Sequence, residues 1–370
     1  MANTSSVEEV EMNMFGNIYS NRRVLITGHT GFKGSWLALW LQELGAVITG
    51  VALPPCTSPN HWDLLNLDIA DHRLDIRDSK SLLRLVADSQ PEIVFHLAAQ
   101  PLVRHSYRDP LETWSTNVMG TANLLEACRH TDSVRAIVVV TTDKVYENKD
   151  WYWGYREIDR LGGHDPYSAS KAATELVAAS FRKAFFEMSN APLLATARAG
   201  NVIGGGDWSE DRLIADIVRA LTGHALLAIR SPQATRPWQH VLECLSGYLV
   251  LGQLLLDGRK EYADAWNFGP DIDGNRTVND ILNLLKTYWP ELVWHTDTKQ
   301  KNHEATLLYL DNMKAKSSLG WRPVWTIHTA LAKTAEWYKS YYNNSKVESS
   351  TQLSQFVGDA RSYTLKWSGA

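Results

Sequence analysis

The sequence has few of the features that mark disulfide-rich, zinc-binding or nucleic-acid-binding proteins. Its three cysteines, Cys56, Cys128 and Cys244, are far apart and form no C-x-x-C pair. They indicate thiols in a reducing compartment and argue against a disulfide framework or a zinc site. The net charge is −4 and no basic block occurs, so a nucleic acid is not an expected partner.

Long apolar runs are missing as well. No stretch reaches the roughly 18 uninterrupted apolar residues of a membrane helix, and residues 1–22 are polar and acidic where a signal peptide has an apolar centre. Hydrophobic residues nevertheless make up 44% of the 370 positions, which is ordinary for a globular protein. We therefore expect a cytoplasmic protein without a membrane partner.

What the sequence does have is an alternation of short apolar runs with amphipathic stretches over residues 1–200. Continuous apolar strands separated by helices predict a parallel sheet covered on both faces. The expected fold class is therefore α/β, with a Rossmann-type doubly wound sheet. The predicted strands are 22–28, 46–53, 72–76, 92–99, 135–142 and 193–200, and the predicted helices are 35–46, one with Ser79 as its N-cap, 110–130 and 168–185.

A glycine-rich turn follows the first predicted strand. Gly28, Gly31 and Gly34, in "GHTGFKG", are spaced three apart between a strand and a helix. Glycine permits a tight turn and a close approach to a pyrophosphate, which the N-terminus of the next helix attracts. The position predicts a nicotinamide dinucleotide site, although the usual dehydrogenase spacing is G-x-G-x-x-G.

The end of the second strand leaves the choice between NAD and NADP open, because "GVALPP" has no acid for the adenosine ribose. Lys33 could meet a 2′-phosphate, but a solvated lysine in the first helical turn is the favoured interpretation. Asp75, in "LDIRD", is a candidate partner of the adenine amine, and a solvated turn acid is an equal alternative on spacing alone.

Loops become frequent in the second half of the sequence, such as "GGGDW" and "GPDIDGNRTVND". We expect residues 1–200 to form the dinucleotide-binding domain, with returning segments near 233–269 that include a strand at 265–269. Residues 201–345 should form mainly a smaller, interleaved C-terminal lobe that binds substrate. Residues 346–370 are a C-terminal extension whose role the sequence does not indicate.

Two pairs of residues could move protons. Tyr167 and Lys171, in "YSASK", are four apart and so lie on one face of a predicted helix. Asp143 and Lys144 are adjacent at the end of a predicted strand, where successive side chains point to opposite faces. For both to reach one site, the chain must already have turned at Thr142. An acid and a base at one site are what general acid–base catalysis needs.

Together these motifs resemble extended short-chain dehydrogenase/reductases that act on nucleotide sugars, through "TGHTGFKG", "HLAAQ", a strand ending in Thr-Thr-Asp and "YSASK". More narrowly, "TDKVYEN", "LGGHDPYSASK", "RAGNVIGGGDW" and "RPWQHV" are similar to the CDP-glucose 4,6-dehydratases. The resemblance covers about residues 22–323. It implies NAD as the cofactor, CDP-glucose as the substrate, a homodimer or homotetramer, and a place in dideoxy-sugar synthesis for O-antigen.

In that family the sugar is oxidised at C4, loses water across C5 and C6, and regains hydride at C6. The resemblance implies that Tyr167 takes the C4 hydroxyl proton, that Thr142 bonds the C4 oxygen, and that Lys171 binds the nicotinamide ribose. It also implies that Lys171 lowers the pKa of Tyr167. Asp143 would protonate the departing C6 hydroxyl, and Lys144 would remove the C5 proton.

Lys144 departs from the better-known dTDP-glucose dehydratases, in which a glutamate follows the aspartate. A lysine amine has an ordinary pKa near ~10.4, so a lysine base must be desolvated or crowded by another cation. Lys171 is the expected cation. The alternative is that Lys144 pairs with a substrate phosphate or with Asp143.

The resemblance also implies binding residues. Arg236 matches an arginine on the pyrophosphate, which a guanidinium binds with two donors, and Asn201 matches an asparagine on the sugar nucleotide. Further substrate candidates, for which a plain surface role is an equal alternative, are Gln100, Arg104, Arg212 and Glu304. The cofactor candidates are Gly28, Thr30, Gly31, Phe32, Lys33, Gly34, Asp75, Ile76, Leu97, Ala98, Ala99, Tyr167 and Lys171.

Other functions share parts of this pattern. A C4 epimerase or simple reductase of the same superfamily needs Tyr167 and Lys171 but no acid–base pair at residues 143–144. Another nucleotide-sugar 4,6-dehydratase remains an alternative, because no residue identifies the base. A non-catalytic dinucleotide sensor would need neither pair. His96, in a predicted strand, is expected to be a hydrogen-bonded core residue, and no metal is predicted.

Overall fold

The computed structural model describes residues 13–297 and 306–369. Within these residues the strands are β1 (Arg23–Thr27), β2 (Val47–Ala52), β3 (Ala70–Arg73), β4 (Ile93–His96), β5 (Ala136–Val140), β6 (Leu193–Ala199), β7 (Asn201–Ile203), β8 (Leu227–Ile229), β9 (Thr235–His240), β10 (Ala265–Phe268), β11 (Asn275–Thr277) and β12 (Trp294–Thr296). The α-helices are α1 (Phe32–Glu43), α2 (His61–Leu65), α3 (Ser79–Ser89), α4 (Val103–Arg108), α5 (Pro110–Trp114), α6 (Gly120–Arg129), α7 (Pro166–Ala184), α8 (Leu213–Thr222), α9 (Val241–Leu256), α10 (Val278–Lys286), α11 (Ile327–Asn344) and α12 (Ser349–Ser362).

Seven strands form one parallel sheet in the order β10-β6-β5-β4-β1-β2-β3. The central strands β4, β5 and β6 are buried at every position, as expected when helices cover both faces of a sheet. The order outward from β1 is that of the dinucleotide-binding α/β fold. The predicted Rossmann-type doubly wound fold is confirmed, and the predicted strand at 265–269 is present as β10, next to β6.

Each face of the sheet has its own hydrophobic core. The larger core packs α1 and α9 against the sheet and includes Trp36, Trp40 and Leu245. The smaller core, on the side of α3, α6 and α7, includes Leu82 and Leu124. The carboxyl ends of the strands lie between these two layers, at the edge where ligands bind in such folds.

Several predicted boundaries are wrong by a few residues. β3 ends at Arg73 rather than at residue 76. Asp78, not Ser79, caps α3, because its carboxylate accepts a backbone N–H of the first turn. The single helix predicted over 110–130 contains α5, a π-helical segment and α6 in succession.

Smaller sheets build the remainder of the chain. Strands β11, β9 and β7 form one sheet, and β12 pairs with β8. The C-terminal extension packs against the first lobe: the Phe356 ring of α12 lies 5.8 Å from that of Trp40 in α1. The His61 imidazole links Ser35 of α1 to Ser349 of α12, at 2.7 Å on each side. The extension therefore supports the helix that follows the glycine loop, while the domain division at residue 200 stays a prediction.

Candidate active site

A short turn after β5 brings the acid and the amine to one place. The strand ends at Val140, and Asp143–Val145 form a 3₁₀ turn that Thr142 caps; residues 142–145 are called the Thr142 turn. The Thr142 hydroxyl accepts the Lys144 backbone N–H at 3.4 Å and donates to the Asp143 carboxylate at 2.9 Å. The predicted turn is present, and it ends the strand alternation that would send the two side chains to opposite faces.

Asp143 and Lys144 line a cavity of about 650 Å³ between residues of the two halves of the chain. This volume is typical of a site for a small organic ligand. Thr142 and Tyr167 line the same cavity. The structure also places on its wall the predicted substrate residues Arg104, Asn201, Arg212 and Arg236.

The helix α7 carries the second predicted pair, Tyr167 and Lys171. Asp165 caps its N-terminus, and the first turn places Tyr167 against the cavity. Lys171 lies one turn further and is buried, with its Nζ donating to the Val140 carbonyl oxygen at 2.8 Å. Burial lowers the pKa of Lys171 to about 8, although the negative charge of Glu175 acts in the opposite direction.

The pKa of Tyr167 is shifted in the direction opposite to the prediction. Burial raises it to about 12, although the Arg212 guanidinium and a hydrogen bond with Thr142 act to lower it. The prediction that Lys171 lowers the pKa of Tyr167 is wrong for this structure. Desolvation of the Tyr167 phenol outweighs the positive charge of Arg212. The Lys171 amine donates its hydrogen bond to the Val140 carbonyl oxygen at the end of β5.

Burial shifts both groups on the Thr142 turn towards their uncharged forms. Asp143 is 1% exposed, and desolvation raises the pKa of its carboxyl despite the positive charges of Lys144 and Arg236. Desolvation lowers the pKa of the Lys144 amine, and Arg236 and Arg212 lower it further. The crowding cation is thus Arg236, and the prediction of Lys171 in that role is wrong. Among the described residues, Asp143 Oδ2 is buried without a hydrogen-bond partner, so that oxygen can bond a ligand.

Arginines from separate elements converge on the cavity. Arg236, on β9, is 7% exposed. Arg104, on α4, pairs with Asp211 at 2.8 Å and so connects the first half of the chain to the loop before α8. Arg212, the N-cap of α8, is exposed. Three guanidinium groups around one cavity predict an anionic ligand.

One predicted substrate residue of the described chain, Gln100, does not line the cavity. The Gln100 side chain holds its own loop, donating to Thr113 Oγ1 at 2.8 Å and accepting the Leu102 N–H at 2.6 Å. Glu304 lies outside the described residues. Arg230, which was not predicted from the sequence, lines the cavity directly after β8. No local pattern distinguishes Arg230 from a surface charge.

The glycine loop forms a close-packed cradle at the N-terminus of α1. Gly28 has a φ of +77°, and a Cβ there would lie 2.6 Å from the Ala98 backbone nitrogen. A Cβ on Gly34 would lie 2.1 Å from the Gly28 carbonyl oxygen, so only glycine lets the helix approach the loop this closely. Gly31 caps α1 without a side-chain hydrogen bond, which leaves first-turn N–H groups, including that of Phe32, for an anionic ligand.

The other predicted cofactor residues surround this cradle. Thr30 Oγ1 donates to the carbonyl oxygen after β2, at 2.9 Å. Asp75 follows β3, and its carboxylate pairs with Arg77 at 2.6 Å, which keeps the pKa of Asp75 below its ordinary value. Ile76 packs against Gly120 of α6. Leu97, Ala98 and Ala99 directly follow β4.

Lys33 lies among the charges of the reacting groups. It is half-buried, and desolvation lowers the pKa of its amine. Arg212 lowers this pKa further, and Asp143 raises it. The interpretation of Lys33 as a solvated first-turn lysine is therefore wrong.

His96 is a hydrogen-bonded core residue, as predicted. Its Nδ1 lies 2.6 Å from Thr27 Oγ1, and its Nε2 lies 2.9 Å from Thr121 Oγ1. Burial lowers the pKa of His96 to about 3, so the ring is neutral at physiological pH. Across the described ranges, no cluster of three or more His, Cys, Asp or Glu side chains could hold a metal ion.

The sequence of this chain is similar to those of known proteins. The family model described as GDP-mannose 4,6 dehydratase matches residues 25–334. The chain belongs to that family. It is 47% identical over 332 residues to the CDP-glucose 4,6-dehydratase of Salmonella typhimurium, covering 88% of this chain and 92% of that protein. The family predicted from the motifs is confirmed.

Solved structures of related enzymes superpose on most of the chain. The dTDP-glucose 4,6-dehydratase DesIV of Streptomyces venezuelae, with NAD and TYD bound, has a TM-score of 0.73 at 25% identity, covering 87% of this chain and 97% of that chain. The epimerase Mth375 of Methanothermobacter thermautotrophicus has a TM-score of 0.79 at 22% identity, covering 90% and 96%, and shares the fold. In the part of the chain that the structure describes, no helix is both long and apolar enough to cross a membrane.

Proposed function

We propose that this chain is an NAD-dependent hydro-lyase that converts CDP-D-glucose to CDP-4-keto-6-deoxy-D-glucose. A relative with 47% identity has the corresponding name, CDP-glucose 4,6-dehydratase. The observation that carries the proposal is the Thr142 turn, which brings Asp143 and Lys144 into the cavity that Tyr167 also lines. A C4 epimerase has no step that uses this second pair.

NAD fits the cradle of Gly28, Gly31 and Gly34, where the uncapped N–H groups of α1 would hold the pyrophosphate. Asp75 would bind the adenine amine, and Lys171 would bind the nicotinamide ribose. When bound there, NAD would supply the hydride acceptor for C4 and the hydride donor for C6.

In the first stage, Tyr167 receives the proton of the C4 hydroxyl, and Thr142 bonds the same oxygen. Since burial raises the pKa of Tyr167 to about 12, a preformed phenolate is scarce near neutral pH. Only the phenolate form can accept the C4 proton, so groups that favour this form promote oxidation of C4. Arg212 and the hydrogen bond with Thr142 lower the pKa of Tyr167 against the effect of burial, and so favour the phenolate that this step requires.

In the second stage, the C4 ketone acidifies the C5 proton, which Lys144 removes. The lowered pKa of Lys144 favours the neutral amine that this step requires. Asp143, whose raised pKa favours the protonated carboxyl, gives its proton to the C6 hydroxyl, which leaves as water. Lys144 then returns a proton to C5 as C6 is reduced, and the proton held by Tyr167 restores Asp143.

The diphosphate of the substrate would pair with Arg236 and Arg212, whose guanidinium groups offer forked donors on the cavity wall. Asn201 would contact the sugar nucleotide, so that residues 201–345 supply most of the nucleotide site. A contact of Glu304 with the cytidine ribose stays a prediction.

We also propose a homodimer or homotetramer that works in the cytoplasm and feeds dideoxy-sugar synthesis for O-antigen. Large apolar side chains are exposed on neighbouring helical segments: Leu111 at 78%, Met119 at 56% and Leu176 at 62%. A second copy of the chain could cover this patch. A monomeric mass in light scattering would contradict the assembly.

The function is tested by incubation with CDP-glucose and NAD, followed by the alkali-induced absorbance of a 4-keto sugar. A panel of CDP-, dTDP-, UDP- and GDP-linked hexoses tests the base. A product that keeps its C6 hydroxyl would show that the chain catalyses epimerisation or reduction and not dehydration. Preferred turnover of another nucleotide sugar would identify a different substrate for the same dehydration.

A further inference from the structure

Glu175 and Arg198 form a buried ion pair next to the active site, with exposed fractions of 4% and 2%. Arg198 donates through Nε to Oε1 and through Nη2 to Oε2, both at 2.9 Å. The hydroxyls of Thr141 and Thr196 donate to the same carboxylate at 2.5 and 2.6 Å. Burial alone would raise the pKa of Glu175, but Arg198 and the two hydroxyls lower it below its ordinary value. The carboxylate is therefore charged, and its acceptor positions are filled.

The ion pair is bonded to both ends of the Thr142 turn. Thr141, which donates to Glu175, directly precedes the turn. Tyr146, which directly follows the turn, accepts a hydrogen bond from Arg198 Nη1 at 2.7 Å. The Arg198 guanidinium also lies 5.0 Å from the centre of the Tyr146 ring. The residues on either side of the Thr142 turn are thus both hydrogen-bonded to the Glu175–Arg198 ion pair.

The same pair is fixed to the helix that carries the other reacting groups. Glu175 lies one turn beyond Lys171 and two turns beyond Tyr167 on α7, on the same side of the helix. Its charge acts on Lys171, whose pKa it raises against the effect of burial. The oxidation groups and the elimination groups are therefore connected through a single buried contact.

We propose that the Glu175–Arg198 pair is a positioning device that keeps the Thr142 turn in register with Tyr167 and Lys171. The inference rests on the proposed dehydration, in which both sets of groups act on one sugar ring. Fold stability is a weak alternative explanation, because desolvation offsets most of the gain from a buried ion pair and well-packed apolar residues often stabilise as much. Bonds to both ends of the turn fit a role in holding that turn.

The test is Glu175→Gln, which removes the charge with little change in shape. Elimination, measured as loss of a C5 deuterium label, should slow by on the order of tenfold to a hundredfold, since small misplacements of reacting groups have effects of this size. Oxidation, measured as reduced-nicotinamide absorbance in a single turnover, should slow less, so this absorbance should accumulate. The alkaline limb of oxidation should also move to lower pH, because Lys171 loses the charge that raises its pKa.

Glu243→Gln is the matched control, because Glu243 is a buried carboxyl that bonds the backbone of Val324 and Trp325. It should change stability without changing the ratio of the oxidation rate to the elimination rate. Thr141→Val removes one hydroxyl and keeps the ion pair. If Glu175→Gln does not fold, Thr141→Val should still shift this ratio in the same direction by a smaller factor.

Equal slowing of both steps, with an unmoved pH profile, would assign the pair to folding alone and overturn the inference. An unchanged ratio in both Glu175→Gln and Thr141→Val would do the same. If the unaltered chain makes no 4-keto product from any nucleotide sugar, the proposed function fails instead. The two failures are therefore distinguishable.

Discussion

The helix α7 and the Thr142 turn meet at one cavity, but different forces place their side chains. α7 has 19 residues, and its own backbone hydrogen bonds fix the spacing between Tyr167 and Lys171. The 3₁₀ turn has three residues and contains few bonds of its own. Its position depends on neighbours that arrive from other strands and helices, including Glu175 and Arg198.

The two active-site lysines show the same contrast. Burial lowers the pKa of Lys171, but the charge of Glu175 acts to raise it and so favours the ammonium that the proposed ribose contact needs. Lys144 is crowded by Arg236, which favours the neutral amine that a base needs. Local helical geometry thus fixes the spacing of Tyr167 and Lys171, whereas the groups on the Thr142 turn depend on tertiary contacts. Substitutions should separate the two steps accordingly.

The largest effect is expected from Tyr167→Phe, which removes the proposed acceptor of the C4 proton. All later steps depend on oxidation, so turnover should fall by about a thousandfold, within the usual range for general acid–base groups. Reduced-nicotinamide absorbance should not appear in a single turnover. Tyr152→Phe is the control, because Tyr152 is 90% exposed. Unchanged turnover in Tyr167→Phe would favour a non-catalytic dinucleotide sensor or another base.

Lys144→Met should break only the second half of the reaction. Without the amine, elimination should slow by about a hundredfold or more, while reduced-nicotinamide absorbance still forms and the C5 deuterium label is retained. Lys149→Met, an exposed lysine a few residues further on, is the matched control. Full activity of Lys144→Met would remove lysine as the C5 base and favour its alternative role as a phosphate partner.

Arg236→Ala should affect binding and elimination together. Loss of a charged hydrogen bond of about 1.5–3 kcal/mol to the diphosphate should raise KM by about tenfold or more. Because Arg236 also lowers the pKa of Lys144, its removal should raise that pKa and move the pH at which elimination begins to a higher value. Arg84→Ala, on the exposed side of α3, is the control. A KM that does not change would reassign Arg236 to a structural role.

The fold could be predicted wherever burial leaves a local signal. β5 is buried at every position, and its continuous apolar run, "AIVVV", marked it clearly. β3 is exposed at every position of Ala70–Arg73, so it has no apolar run, and its predicted bounds are wrong. Edge strands of this kind are set by pairing with a neighbour, which no short stretch of sequence encodes.

The candidate site, like the fold, could be predicted only where the sequence carries a local signal. The Tyr167–Lys171 spacing and the glycine loop are local, and the structure places both as expected. No local sequence pattern predicts the directions of the pKa shifts. Tyr167 is dominated by its own desolvation, and Lys144 is crowded by an arginine from β9 that is distant in sequence. The position of Lys33 in the first helical turn likewise did not indicate that its side chain lies among the reacting charges.

The smallest effect is expected from Lys33→Met. It should move the alkaline limb of oxidation in the direction opposite to that expected for Glu175→Gln. Lys33 lowers the pKa of Lys171 and of Asp143, so its loss should raise both and move the alkaline limbs of oxidation and elimination to higher pH. The rate at neutral pH should change by less than about fivefold, because a screened charge–charge interaction contributes under ~1 kcal/mol. Profiles measured at saturating NAD exclude an effect on cofactor binding, and Lys80→Met, on the exposed side of α3, should leave them unmoved. A shift to lower pH would mean that Lys33 does not act on these groups through its charge.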